Sequence, residues 1–348
     1  MSQITTVERQ IYLDYLRIIA TLAVIIIHVS ASNWHDLPVD SSGWMAHNFW
    51  NGISRFSVPV FVMISGTLFL NRRISLRVII KRYVLRIGIV YLIWSAAYAT
   101  FYYFFKGANL NGVISTLVFG PDHLWFLFMI VGLYLIVPFL KSIIEKGYEN
   151  YFIFLAFVFS FMFPEILEIV KLFSEKAFFL LDDTIRHLNL FFPLGYSGYF
   201  LLGYKLGKKD LSLGFEILMY VLGLLCFLFT VFGTWGISLF FQEKQELFYE
   251  YLTVNVLFEA VAVYVFCKKR LACILKKKRI ITLVSKSCFG IYLVHLMVLS
   301  VFETLFDIGT TSINPWVSIP IISVCIFLIS LIISWVLGKI PRINRYLV

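Results

Sequence analysis

Apolar residues recur along this chain in runs near twenty residues long, and basic residues collect in the short segments between them. Ten such runs can be read, at 12–32, 50–70, 84–105, 123–141, 150–164, 189–206, 213–235, 249–267, 281–302 and 315–338, the fifth being short. A helix rising ~1.5 Å per residue needs about twenty residues to cross a hydrocarbon core of ~30 Å. Inside such a span only a helix satisfies its own backbone polar groups. The pattern therefore predicts an all-α, polytopic membrane protein of about ten transmembrane helices, forming one integral-membrane domain over 1–348.

The loops alternate in charge. One set carries Arg9, the run from Arg72 to Arg86, Lys141 and Lys146, Lys205 to Lys209, Lys268 to Arg279, and Lys339 to Arg345. The other holds only Lys106, Lys171, Lys176, Arg186 and Lys244, diluted by acids such as Asp36, Asp40, Asp182, Asp183, Glu243 and Glu246. The positive-inside rule then places both termini in the cytoplasm. The net charge of +10 is accounted for by these loops, so no nucleic-acid partner is implied. With 60% hydrophobic and only 14% charged residues, the composition also excludes an ordinary soluble domain.

The five cysteines (Cys226, Cys267, Cys273, Cys288 and Cys325) lie in or beside spans and show no zinc-site spacing. The first apolar run lacks a small-residue cleavage site after it, so it reads as a retained helix. Neither end is expected to carry a soluble domain, and Arg270 to Arg279 is expected to lie along the interface.

Against this background the polar residues inside spans carry the information, because an ionisable side chain in lipid needs a partner or a water-filled cavity. The first span, YLDYLRIIATLAVIIIHVSAS, contains Asp14, Arg17 and His28. Arg17 and His28 are eleven residues apart. That is about three turns with ~20° left over, which puts both on one face, separated by roughly 16 Å. They read either as the wall of a channel or cleft, or as an end-marking arginine and a histidine bonded to a neighbouring helix.

Arg55 opens the second span in NGISRFSVPVFVMISG, four residues before Pro59, whose ring displaces the carbonyl of Arg55. Ser65-Gly66 permits close approach by a ligand or by a neighbouring helix. The loop NRRISLRVIIKRYVLR is more basic than topology demands. Its Arg82 and Arg86 share a helix face and offer forked donors suited to phosphate, although lipid headgroups would satisfy them too. GPDHLWFL sets Asp122, a candidate helix cap, beside His123 and Trp125. In SKSCFGIYLVHLMVL, His295 lies nine residues past Lys286. That depth of ~13 Å lets His295 approach His28, with Tyr292 on the same face.

Together these stretches resemble the membrane acyltransferase-3 family, multi-span O-acyltransferases that modify bacterial surface glycans. The Arg17–ten residues–His28 element, Arg55 through Gly66, HLWFL at 123–127 and FGIYLVH at 289–295 carry the resemblance, with Arg82 and Arg86 a looser counterpart of a cytoplasmic arginine motif. The resemblance implies the stand-alone form, in the bacterial cytoplasmic membrane, without an extracytoplasmic hydrolase-like domain. It implies transfer of an acyl group, acetyl being the expectation, from cytoplasmic acyl-CoA to a hydroxyl of an exported glycan or lipid-linked sugar. No bound cofactor or metal is implied, since acyl-CoA is a substrate, and surface-polysaccharide assembly proteins are the expected partners. His28, Arg55, His123 and His295 become the catalytic candidates, and Arg17, Arg82 and Arg86 the donor-binding ones. A transporter or flippase of acylated glycans needs a similar polar stripe and stays as the alternative, with a non-turnover sensor or assembly subunit as a third class.

Overall fold

The structure is a computed structural model describing residues 10–72, 74–188, 194–271, 278–341 and 344–347. The chain is all-helical among these residues, and nine of its helical segments are long and apolar enough to cross a membrane. Their order begins with α1 (Ile11–Ala31), α2 (Ser42–Gly52), α3 (Ser57–Leu70) and α4 (Leu85–Lys106). A single turn, Leu76–Val78, and a π-helical stretch, Ile79–Val84, lead into α4. Then follow α5 (Leu110–Phe119), α6 (Trp125–Glu145), α7 (Glu149–Ala156), α8 (Phe163–Phe173) and α9 (Glu175–Arg186). The chain closes with α10 (Ser197–Lys208), α11 (Leu213–Phe241), α12 (Val254–Phe266), α13 (Lys278–Leu305) and α14 (Pro315–Leu337).

Local chemistry sets many boundaries. Ser41 Oγ accepts from Trp44 N at 3.1 Å to start α2, and Asn109 Oδ1 accepts from Gly112 N at 2.9 Å to start α5. Gly107, at φ 63°, ends α4 in the left-handed conformation that favours glycine. At the end of α10, Lys268 Nζ donates to the carbonyls of Leu206, Gly207 and Lys209, satisfying groups the helix leaves open.

The axis of the bundle is α1. Its side chains enter three separate apolar clusters: Leu13, Leu16 and Ala20 in the largest, Val24 in the second, Ile25 and Val29 in the third. It packs on α2, α3, α13 and α14. By contrast, α4, α6, α11 and α14 turn apolar residues such as Leu92, Phe139, Leu224 and Ile332 outward, the faces expected against lipid.

The expected span at 189–206 is the main departure. Residues 189–193 lie outside the described residues, and the helix seen there, α10, is only 12 residues long. Most of it is buried, and among the described residues it makes the most extensive helix–helix contact, against α3. Two glycines permit this crossing: a Cβ on Gly66 would lie 1.8 Å from the Phe200 carbonyl oxygen, and one on Gly203 would lie 2.1 Å from that of Met63. Thr67 Oγ1 adds a hydrogen bond to the Gly203 carbonyl at 2.8 Å. Gly66 thus meets a neighbouring helix, while Ser65 lines a cavity.

Loops expected on one side do meet. Lys141 reaches the Arg72 carbonyl, Lys205 reaches Asn150, and Arg270 pairs with Glu216. At the other end His35 faces Glu246 at 3.6 Å, and Thr310 Oγ1 donates to Asn33 Oδ1 at 2.7 Å. Arg9, Arg73, Cys273, Lys276, Lys277 and Arg342, with most of the expected interfacial stretch at 270–279, lie outside the described residues. The four cysteines that are described are free thiols.

Candidate active site

Three histidines from three parts of the chain converge beside α1. The ring of His28 lies 5.2 Å from that of His295 on α13 and 6.4 Å from that of His123, while His123 and His295 are 5.3 Å apart, centroid to centroid. His123 sits in a single 3₁₀ turn, Asp122–Leu124, just before α6. Asp122 makes no capping hydrogen bond there, so its expected role as a helix cap is not realised: the turn begins after Pro121, and α6 starts from Leu124 without a side-chain cap.

Tyrosines fix the cluster. Tyr292 Oη donates to the His123 carbonyl at 2.6 Å, and Tyr98 Oη donates to the Leu293 carbonyl at 2.9 Å with its ring 5.2 Å from His123. His295 Nδ1 lies 2.6 Å from the Tyr292 carbonyl, which makes that nitrogen the proton donor and leaves Nε2 as an acceptor. Among the described residues that Nε2 is buried without a hydrogen-bond partner, as is at least one ring nitrogen of His123, whose ring otherwise meets the Leu293 carbonyl. Unsatisfied buried nitrogens are costly and uncommon, so their clustering needs a reason beyond packing. Three close histidines invite a metal, but among the described residues no histidine, cysteine or carboxylate group has the arrangement of a metal site.

A cavity of about 400 Å³ adjoins the cluster. Arg17, Arg86 and Lys286 line one end, His28, His123, Trp125 and Tyr251 the other, with Val24, Phe61 and Val90 among the apolar walls. A second cavity, of about 840 Å³, shares Arg17, Leu68, Ser285 and Lys286 with the first and adds Arg72 and Lys208. The two adjoin at these shared residues, one bordering the basic loops and the other the histidines. His295 touches both other rings but is not part of the wall.

Arg17 stands where the cavities meet, anchored to Asp14 Oδ1 at 3.0 Å. Asp14 is buried and also accepts from Ser285 Oγ at 2.7 Å, which ties α1 to α13. Arg86 lines the first cavity and lies 5.7 Å over the Phe289 ring, whereas Arg82 is exposed and lines neither cavity. The intervening end of the π-helical stretch Ile79–Val84 accompanies this separation.

Arg55 occupies a break rather than a kink. α2 ends at Gly52 and α3 restarts at Ser57, so Pro59 falls in the first turn of a new helix, where its missing N–H costs nothing. Arg55 Nε donates to Asn51 Oδ1 at 2.7 Å, another guanidinium nitrogen donates to the Tyr249 carbonyl at 3.0 Å, and the group lies 4.3 Å over the Tyr249 ring and 5.8 Å over that of Tyr251. Tyr249 is itself wedged against Trp34, whose ring is 5.3 Å away and packs at a tilt against Trp44 at 4.5 Å. Arg55 does not line the cavity directly; Tyr251 stands between.

Two lining residues have no role in the sequence-based site. Lys286 reads from sequence as a helix-end anchor, although Ser285, Phe289 and Tyr292 nearby follow a helical stripe. Tyr251 lies in the short connection before α12, where periodicity carries no signal.

No curated protein and no solved structure matches the chain significantly. The family model described as an acyltransferase domain matches residues 10–337, nearly the whole chain and every residue that lines the two cavities. An apolar-walled cavity with arginines at one end and histidines at the other is suited to acyl transfer, and the chain belongs to the acyltransferase-3 family.

Proposed function

We propose that this protein transfers an acyl group, acetyl in the simplest case, from acyl-CoA to a hydroxyl of an exported glycan or lipid-linked sugar. The observation that carries the reading is the pair of adjoining cavities that share Arg17 and Lys286, one beside the basic loops and the other reaching the histidine cluster. Acyl-CoA pairs a polyanionic head with a long, narrow, uncharged arm. The wide cavity, with Arg72, Lys208 and Lys286 on its wall, suits the head. The smaller one, with Arg17 and His28 on its wall about 16 Å apart along the helix at ~1.5 Å per residue, suits the arm. Both termini and the basic loops would face the cytoplasm, and the acceptor would arrive at the opposite mouth, across the bacterial cytoplasmic membrane.

In this mechanism His28 takes the proton of the acceptor hydroxyl as its oxygen attacks the thioester carbonyl. The carbon–sulfur bond then breaks, an ester forms, and the proton passes to the departing CoA thiolate. His123 faces the same space, and His295 holds the two rings from behind. Arg55 orients Tyr251 and adds positive charge on the side where the oxyanion develops. Arg17 steadies the arm where the cavities join. A flippase needs no proton-transferring group, whereas this cavity carries His28 and His123 on its wall.

Replacing Arg86 and Lys286 together with glutamine tests the donor site. Charge-assisted hydrogen bonds of roughly 1.5–3 kcal/mol each would be lost, so KM for acyl-CoA should rise about a hundredfold or more. The melting temperature should hold, because both side chains are exposed at the mouth. Arg82→Gln, outside the lining, should change KM far less. An unchanged donor KM in the double variant would remove this mouth from the donor path.

A further inference from the structure

The end of the first cavity away from the basic loops is built from aromatic rings. Trp125 and Tyr251 both line the cavity there, with ring centroids 5.9 Å apart and planes 24° from parallel. Tyr196 flanks Trp125 at 6.0 Å. The guanidinium of Arg55, itself held by Asn51 and the Tyr249 carbonyl, lies 5.8 Å from the Tyr251 ring. Trp125 keeps 40% of its surface exposed, and it follows His123 by two residues.

A tryptophan near a membrane interface ordinarily anchors the chain among headgroups, with its ring toward lipid. Here the ring forms part of the wall of the reaction space, and its neighbours are aligned with it. Tyr251 and Tyr196 hold the Trp125 ring in place, and its exposed part offers a flat, electron-rich apolar surface with polar groups at its edge. A pyranose has the complementary shape, with one face of C–H bonds and a rim of hydroxyls. Set down on this surface, a sugar would present its rim to Arg55 and to the histidines.

We infer that Trp125, held in place by Tyr251 and Tyr196, is a platform that stacks the pyranose ring of the acceptor and so selects which hydroxyl reaches His28. The inference rests on the acyl-transfer reading for the identity of the hydroxyl, but the stacking itself does not. Trp125 is in this account a positioning residue.

The test uses the full chain in lipid nanodiscs, because glycoside detergents would compete. Wild type, Trp125→Phe and Trp125→Ala are given acetyl-CoA with methyl glucopyranoside, mannopyranoside or galactopyranoside. For at least one sugar, Trp125→Ala should raise the acceptor KM about tenfold or more, as loss of a buried aromatic anchor does, while Trp125→Phe stays within about threefold. The donor KM should not follow. An unchanged acceptor KM, or a phenylalanine variant as impaired as the alanine one, overturns the platform and leaves an interfacial anchor. So does a wild type that hydrolyses acetyl-CoA yet acylates none of the three sugars. A wild type that neither hydrolyses nor transfers counts against the acyl-transfer reading instead. Saturation-transfer NMR with the same glycosides then decides: binding lost only in Trp125→Ala supports the platform, and equal or absent binding overturns it.

Discussion

Neither His28→Gln nor His28→Ala should transfer acyl groups, although both proteins should fold. His28 is the one histidine of the three that shares a helix face with Arg17 and also lines the cavity. It is therefore the ring best placed to meet an acyl group carried past Arg17. Glutamine keeps hydrogen-bonding capacity but cannot accept and return a proton, and the loss of a general base costs about 10²–10⁴-fold in rate. A histidine that only packs predicts another pattern. Glutamine would then rescue in part, and alanine would fail through a lower melting temperature. Single-turnover transfer by monodisperse protein at saturating donor separates the two. Arg17→Ala should differ in kind, raising the donor KM more than it slows the chemical step.

Gly66→Ala should be severely damaging for a single added methyl. Its Cβ would stand 1.8 Å from the Phe200 carbonyl oxygen, a backbone atom that cannot swing aside. Forcing α3 and α10 apart would cost at least the ~1–3 kcal/mol typical of overpacking. It would also displace Thr67 from the Gly203 carbonyl. Little monodisperse protein should survive extraction, whereas Gly132→Ala, with nothing within 4 Å of the added atom, should behave as wild type. A Gly66→Ala protein of normal yield and melting temperature would contradict the close crossing.

What could be read in advance followed from periodicity. The alignment of Arg17 with His28, and the depth at which His295 meets it, both come from the fixed rise and turn of a helix. His123 could be located only near an interface, because it lies in a turn and its distance to α1 depends on how helices pack. Lys286 was hidden because a lysine at a helix end has an ordinary explanation in the interface. Proline at 59 is compatible with a kink or with the first turn of a new helix, and only the break between Gly52 and Ser57 decides for the second. The short α10 escaped for a related reason. Its glycines look like weak points of a span, yet they are what lets it lie against α3.

The central claim is that donor and acceptor reach the histidines from opposite faces of the membrane. Membrane vesicles of known sidedness, containing the protein, test it directly. Radiolabelled acetyl-CoA is supplied only to the face bearing the basic loops, and the acceptor glycan only to the other. The account predicts acetylated glycan on the acceptor face without leakage of acetyl-CoA, and no product when the two substrates exchange sides. Product that appears only when donor and acceptor share one face would contradict it.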